Sequence, residues 1–501
     1  MGKRSSWGAR QWRWVGLSAA LAGFAGMAGA GAAAESQALA TPSQTQTQTP
    51  LQTQLQCQMR LADQTAELRA WPDPDPYVVV RQAFDERFSL SAVVIGSLTG
   101  PIEHITLTVH DLSQGGGPVP VQQMHLQPPF TQPPFAQAPL VPALTGWQRV
   151  YVGTLGRAFE YGCALVKAAR PITPVAAETS VAPPAPRPAP AAGHQAGTDP
   201  VVRMAWLGDV MLADGPGRLI GRGGNPFGPM ARSLFDADVR VANLECVIST
   251  QGKALDKPWT FRAHPRVLPL LKRHVDVVSL ANNHSGDFGP AAFADMLKRL
   301  EKAGLPYFGG GRNLRQAHQS LIIERKGIRI ALLAYDEMFP RSFEAGPDWP
   351  GVAWSEDQQV AFDIRQARLR ADVVIPYMHW GQEHEAKAHA RQRQLARLMI
   401  DAGADAVVGT HPHVVQDVER YRGKPIFYSL GNFVFDGFSS PDNNTGWVLW
   451  LDVSRSGVQQ WRVQEVHQDR QGTPHPLRRA TPQPSMPESG APDAPGAPPR
   501  P

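Results

Sequence analysis

The chain has 501 residues, 42% of them hydrophobic, and a net charge of +5 that is spread along it. That length allows two or three domains. No basic run alternates with aromatic residues, so a nucleic-acid partner is not expected.

The chain opens with Lys3, Arg4, Arg10 and Arg13 ahead of an apolar, Ala/Gly-rich run that closes on Ala32-Ala33-Ala34. A basic start, an apolar run and small residues are the features of a secretory signal. Residues 1–34 are therefore expected to be cleaved near Ala34, and the protein to be exported to the periplasm or cell surface. An uncleaved anchor is the alternative, because the run is long enough to span a bilayer although weakly hydrophobic. No cysteine follows it directly, which argues against a lipoprotein, and no second stretch approaches transmembrane length.

Residues 35–56, including SQTQTQTPLQTQLQ, form a Gln/Thr low-complexity segment with too little apolar content to bury a core. Residues 57–170 hold short β-like runs, among them Tyr77-Val78-Val79-Val80 and Ile105-Thr106-Leu107-Thr108-Val109, separated by Gly and Pro. They predict a small β-rich domain of unassigned role. Export permits a disulfide. Cys57 and Cys163 bracket this segment, and both a bridge and two free thiols are open; Cys246, in the apolar NLEC stretch, reads as a buried thiol. Residues 171–200 are a Pro/Ala-rich linker, and residues 469–501 a Pro-rich tail expected to be disordered.

From 201 to 468, β-like apolar runs alternate with helical patterns over Ala291–Ala303, Asp357–Arg370 and Ala388–Ala402, which predicts an α/β fold. Each strand run leads into polar residues. Arg203–Leu207 leads to Asp209, Val239–Ala242 to Asn243 and Glu245, and Val275–Leu280 to Asn282, Asn283 and His284. Val373–Tyr377 leads to His379, Ala406–Val408 to His411 and His413, Ile328–Ala334 to Asp336, and Ile426–Ser429 to Asn432. Singly these are turn residues, helix caps or satisfied core histidines. Repeated at the carboxyl ends of strands, where α/β sheets assemble their sites, they predict one centre.

In GTHPHVVQ, Pro412 restricts His411 to extended geometry, in which residues two apart point the same way, so His411 and His413 are expected to converge. Two or three histidines, two carboxylates and an asparagine exceed what one tetrahedral zinc with an open position needs. They suit two divalent ions with a carboxylate between them; mixed N/O ligation favours manganese, iron or zinc. Two-metal sites commonly serve phosphoester hydrolysis.

The ordered set GD…NLE…NNH…HWG…GTHPH…SLGNF resembles the CapA-type capsule and poly-γ-glutamate biosynthesis family, which is similar in turn to calcineurin-like metallophosphoesterases. The resemblance covers about residues 202–452. It implies a four-layer metallophosphoesterase-like sandwich, two β-sheets flanked by helices, preceded here by the β-rich domain. It further implies that Asp209, Glu245, Asn283, His379, His411 and His413 bind metal, with Glu245 bridging. His284 is then left for catalysis, facing the substrate. The phosphoesterase Asp-x-His motif is absent, since Asp209 is followed by Val210-Met211, and the bridging residue is the longer Glu; both match the CapA-type pattern.

Three functions fit. One is a metal-dependent hydrolase or transferase acting on an anionic surface polymer or its precursor. Another is a non-catalytic component of a membrane-bound polymer synthesis or export complex. The third is a periplasmic phosphomonoesterase. The segments Gly215–Pro229 and Phe339–Pro350 are where substrate selection is expected. Arg218, Arg222 and Arg262 are candidates for an anionic polymer, or ordinary solvated arginines.

Overall fold

The computed structural model describes residues 52–61, 64–84, 88–97, 101–112, 119–128, 144–145, 147–152, 157–168, 200–338, 341 and 343–477. The expected signal, the start of the Gln/Thr segment, the linker up to residue 199 and the tail beyond residue 477 lie outside those residues. Among the described residues no helix is long and apolar enough to cross a membrane.

The β-rich part is a sandwich of two antiparallel four-stranded sheets. One is built on Gln52–Leu61 and Arg157–Ala168, the other on Phe88–Gly96 and Ile102–Asp111. Strands alternate side chains between faces, so Leu55, Cys57 and Met59 of the first sheet meet Leu90, Ile105 and Leu107 of the second in one core. The first strand begins at Gln52, inside the stretch read as low complexity. Its alternation carries Leu55 inward, so the polar segment ends earlier than its composition suggested. Cys57 and Cys163 are cross-strand partners and are joined by a disulfide. The sandwich is docked on the α/β part: Tyr77 Oη donates to Asp363, Arg315 pairs with Asp75 at 2.8 Å, and Arg341 Nη1 donates to Gln123 Oε1 at 2.8 Å.

The α/β part holds two larger sheets. The eight-stranded sheet runs in the order Tyr307–Phe308, Val277–Ser279, Val239–Leu244, Val202–Val210, Thr445–Ser454, Gly457–Gln468, Pro474–Pro476, with Asn432–Val434 also paired to Val202–Val210. Its strands from Tyr307–Phe308 through Val202–Val210 are mutually parallel. The six-stranded sheet places Ile328–Asp336, Val373–His379, Val407–Thr410 and Lys424–Phe427 side by side and parallel. Parallel strands covered on both faces read as unbroken apolar runs, as Val373–His379 does: every residue in it is buried.

The two sheets stack. Trp206, Val241 and Val277 of one share a core with Ile330, Leu332, Ile375 and Val408 of the other. The outer face of the eight-stranded sheet is covered by the helix Gly289–Ala303 through Phe293, Met296, Leu297 and Leu300, the three-to-four spacing of one helical face. That helix stops at Gly304, whose φ of 62° is the left-handed C-cap a glycine adopts without a Cβ clash. The outer face of the six-stranded sheet is covered by Asp357–Arg368 and Ala390–Ala402 through Val360, Ile364, Leu395 and Met399. The result is the expected helix–sheet–sheet–helix layering. Its use lies in direction: parallel strands bring their carboxyl ends to one side.

Candidate metal centre

The strand registers align the polar residues. Asp209 pairs in register with Asn243 on one side and Asn432 on the other, while His379 pairs with Asp336 and Thr410. Most of these residues lie within the strands rather than after them. Glu245 follows directly, its backbone N–H held by Val210 O at 3.0 Å. The connection also demands small residues: a Cβ on Gly409 would stand 2.2 Å from Tyr428 O, so the strand leading to His411 packs only with glycine there.

Two donor groups converge on Glu245. In the first, His379 Nε2 lies 3.0 Å from Asn283 Oδ1, 3.2 Å from His411 Nδ1 and 3.8 Å from Glu245 Oε1. In the second, Asp209, Glu245 and His413 approach one another, with His413 Nε2 3.8 Å from Glu245 Oε1 and His413 Nδ1 3.5 Å from Asp209 Oδ2. Separations near 3.8 Å are too long for hydrogen bonds. They suit two atoms each about 2.0–2.2 Å from a shared ion.

Part of the donor set lacks other partners. Both oxygens of Glu245 and Nε2 of His411 are buried with no hydrogen-bond partner among the described residues. An ionised carboxylate is not left bare in a protein interior; it is paired, protonated or bound to a cation. Burial, then the neighbouring Asp209, pushes Glu245 well above the usual carboxyl range. Burial also raises Asp209, against the pull of His413. His379 and His411 are held well below the usual imidazole value by burial and by adjacent imidazoles, and His413 is lowered by burial despite Asp209. Neutral imidazoles are the form that binds metal. The residues fit a divalent metal site.

Neighbours fix the ring orientations. His379 Nδ1 lies 3.2 Å from Thr410 Oγ1, which donates to Met378 O, so Nε2 is left for the centre. Asn432 Oδ1 sits 2.9 Å from His413 Nδ1, which leaves Nε2 facing Glu245. Asn243 donates to Asp209 Oδ1 at 2.8 Å.

The loop geometry departs from expectation. His411 and His413 have φ of 98° and 56°, in the left-handed region, so the His-Pro-His stretch is not extended. The rings reach the centre through a strained turn, as often occurs where surrounding packing over-determines a functional loop. Asn283 and His284 lie in a turn. Asn283 Oδ1 faces His379, whereas His284 Nδ1 is 2.7 Å from Asp287 Oδ2 and its Nε2 is 3.9 Å from Glu245 Oε1. Asp287 is itself tied by Lys257 Nζ at 2.6 Å and by the backbone N–H of Phe261 at 2.6 Å.

The family model described as "Bacterial capsule synthesis protein PGA_cap" matches residues 203–437. The "PGA biosynthesis protein CapA" of Bacillus subtilis (strain 168) is 33% identical over 303 residues, 58% of this chain and 76% of that protein. This chain belongs to the PGA_cap family. The "Capsule biosynthesis protein CapA" of Bacillus anthracis is 32% identical over 244 residues; the match spans 46% of this chain and 59% of that protein. Among solved structures, a 5'-nucleotidase precursor from Thermus thermophilus aligns at 10% identity with a TM-score of 0.34, over 55% of this chain and 56% of that one. The NAD nucleotidase of Haemophilus influenzae aligns at 10% identity with a TM-score of 0.34, over 56% and 60%.

Within this PGA_cap member, sequence reading missed Glu383, which groups with His411 and His413 as a third set of donors. It lies four residues after His379 in HWGQE, close enough to the HWG motif to have been tested. Asp287 and Lys257 were also missed; Asp287 stands three residues after His284, a spacing that one turn closes. Met211, where phosphoesterases carry a histidine, is buried and accepts from the Ala213 backbone N–H through its sulfur.

Proposed function

We propose that this chain is an exported, metal-dependent hydrolase or transferase of capsule or poly-γ-glutamate biosynthesis, acting on an anionic surface polymer or its precursor. The observation that carries the reading is Glu245: a fully buried carboxylate with both oxygens unpartnered, ringed by Asp209, His379, His411 and His413. Asn283, His379, His411 and Glu245 would hold one divalent ion, and Asp209, Glu245 and His413 a second, of manganese, iron or zinc. Such ions supply Lewis acidity to the reacting phosphoryl or acyl oxygen.

The chain's own groups would move the proton. His284 is held by Asp287 through Nδ1, which leaves Nε2 directed toward Glu245 and the reaction space. In hydrolysis it takes a proton from the attacking water and returns it to the departing oxygen or nitrogen, so that hydroxyl joins the acyl or phosphoryl group and hydrogen joins the leaving group. Asp287 keeps the ring in that tautomer, and Lys257 keeps Asp287 in place. Phe261, with its ring centroid 4.3 Å from that of His284, shields one face of the imidazole.

The test is metal content of the mature protein together with a product screen on poly-γ-glutamate and on phosphoesters. Metal bound to the wild type, lost in His413→Ala along with cleavage, supports the proposal. A protein that purifies without metal, and whose Asp209, His411 and His413 alanine variants still support polymer production in cells, is instead a non-catalytic part of a synthesis or export complex.

A further inference from the structure

An open groove of about 500 Å³ runs along the helix Asp214–Gly221 and the segment Arg262–Val267. Four arginines line it, Arg218, Arg222, Arg262 and Arg266, against one carboxylate, Asp214. Several arginines elsewhere in the α/β part are closely paired, among them Arg240 with Asp276 at 2.8 Å, Arg341 with Glu344 at 2.5 Å and Arg391 with Glu337 at 2.5 Å. In the groove, Arg218 comes no nearer than 3.9 Å to Asp214 or Asp436. No carboxylate among the described residues pairs with the other three. Arg262 lies over the Phe288 ring and donates to Gln251 and Gly252 carbonyls, and Arg266 donates to His264 Nδ1. Guanidinium groups held by carbonyls, a ring and an imidazole nitrogen keep their full charge for a ligand.

The groove also has space that folding does not require. Gly221 lines it with ordinary backbone φ, and a Cβ there would meet only Arg266 Nη1, at 3.6 Å. Nothing in the packing demands a glycine at this helix end. Its absent side chain leaves the groove open beside Arg266. The walls connect to the metal centre along the chain: Leu212 and Ala213 come shortly after the strand that carries Asp209, and Arg262 follows Phe261, which packs on His284.

We propose that this arginine groove is the docking track for a linear polycarboxylate, whose successive carboxylates pair with Arg218, Arg222, Arg262 and Arg266 while one end of the chain enters the metal centre. The assignment rests on the proposed function for the identity of the polymer, and on the groove's unpaired charge for its place. Each guanidinium fork can take one carboxylate in the bidentate mode, and a flexible chain lets successive carboxylates reach the four arginines in turn.

The experiment uses the full mature protein and a fluorescent poly-γ-glutamate oligomer, with polyphosphate of equal charge as comparison. Binding to the wild type should weaken steeply as salt rises, because each pairing releases counterions. Arg222→Ala with Arg266→Ala should lower affinity by at least about tenfold and flatten the salt slope by about two units. Gly221→Leu, which fills the trough and removes no charge, should lower affinity as well; thermal unfolding of each variant shows that it is folded. Equal binding by wild type and variants overturns the proposal, as does polyphosphate binding as tightly as poly-γ-glutamate. The two readings separate cleanly. Polymer cleavage that persists at unchanged KM in the double variant sinks the groove and leaves the metal-site reading standing. Binding lost in the double variant, with no cleavage by the wild type, keeps the groove and sinks the catalytic reading.

Discussion

His379 Nε2 and His411 Nδ1 lie 3.2 Å apart, and Asn283 Oδ1 is 3.0 Å from the first of them. Two imidazole nitrogens at that distance either share one hydrogen or turn both lone pairs to a cation. With Glu245 they make a four-donor group, whereas Asp209, Glu245 and His413 make a three-donor group that has Met211 where a further histidine would stand. The two positions should differ in affinity. Metal analysis after graded dialysis against a chelator should show one ion leaving first. His379→Ala should remove the tighter ion and Asp209→Ala the weaker. Simultaneous loss of both ions in every variant contradicts the partition.

His284 belongs to neither group of donors. His284→Ala should keep its metal and lose about 10²–10⁴ in turnover. Metal content and rate measured on the same preparation check this, and loss of metal as complete as in His411→Ala refutes the division of labour.

Metal retention should fall with pH in a stated direction. Burial and neighbouring imidazoles lower the values of His379, His411 and His413 below 6.5. Protons therefore compete less well than at free imidazole, and metal is retained down through pH 6.5 and lost below it. A titration of the histidine rings in the metal-free protein, read by NMR, with midpoints above 6.5 would contradict the burial of these rings.

The His-Pro-His turn makes a separate prediction. His411 and His413 both sit at positive φ, a conformation that Pro412 does not favour and the surrounding packing enforces. Pro412→Gly widens the choices open to the loop without removing a donor. It should weaken metal binding less than His411→Ala does, as read from chelator competition.

The Cys57–Cys163 bridge closes a loop with a sequence separation of 106. In the chain-entropy account, closure of that length stabilises by about 4–5 kcal/mol. Cys57→Ser with Cys163→Ser should destabilise the β-sandwich by that order, measured by denaturant unfolding, and non-reduced peptide mapping should find the wild-type bridge.

The sheets and most donors were legible because parallel strands buried on both faces leave apolar runs, and a run that ends in Asp209, Glu245 or His379 announces its site. What was not legible depends on contacts distant in sequence. The turn at His411 follows from packing that no local pattern encodes, and local sterics pointed the other way. Glu383 is exposed and lies in a loop, so no apolar periodicity marks it. The docking of the β-sandwich rests on single side chains such as Tyr77 and Arg341, which look like ordinary polar residues until Asp363 and Gln123 are opposite them. The segment Gly215–Pro229, expected as a selecting loop, is half helix, since Asp214–Gly221 winds up despite its glycines.

Glu245 has one more consequence. Burial and the neighbouring Asp209 push its carboxyl well above the usual range before any cation arrives, so it keeps its hydrogen to higher pH than a free carboxyl does. Where that hydrogen is still held, loading must expel it, and the first uptake of metal at Glu245 is then an acid-releasing event. Calorimetry in buffers of different ionisation enthalpy would show it as a heat that depends on the buffer. A compartment that turns acidic would thereby discharge the centre through Glu245 as well as through its histidines.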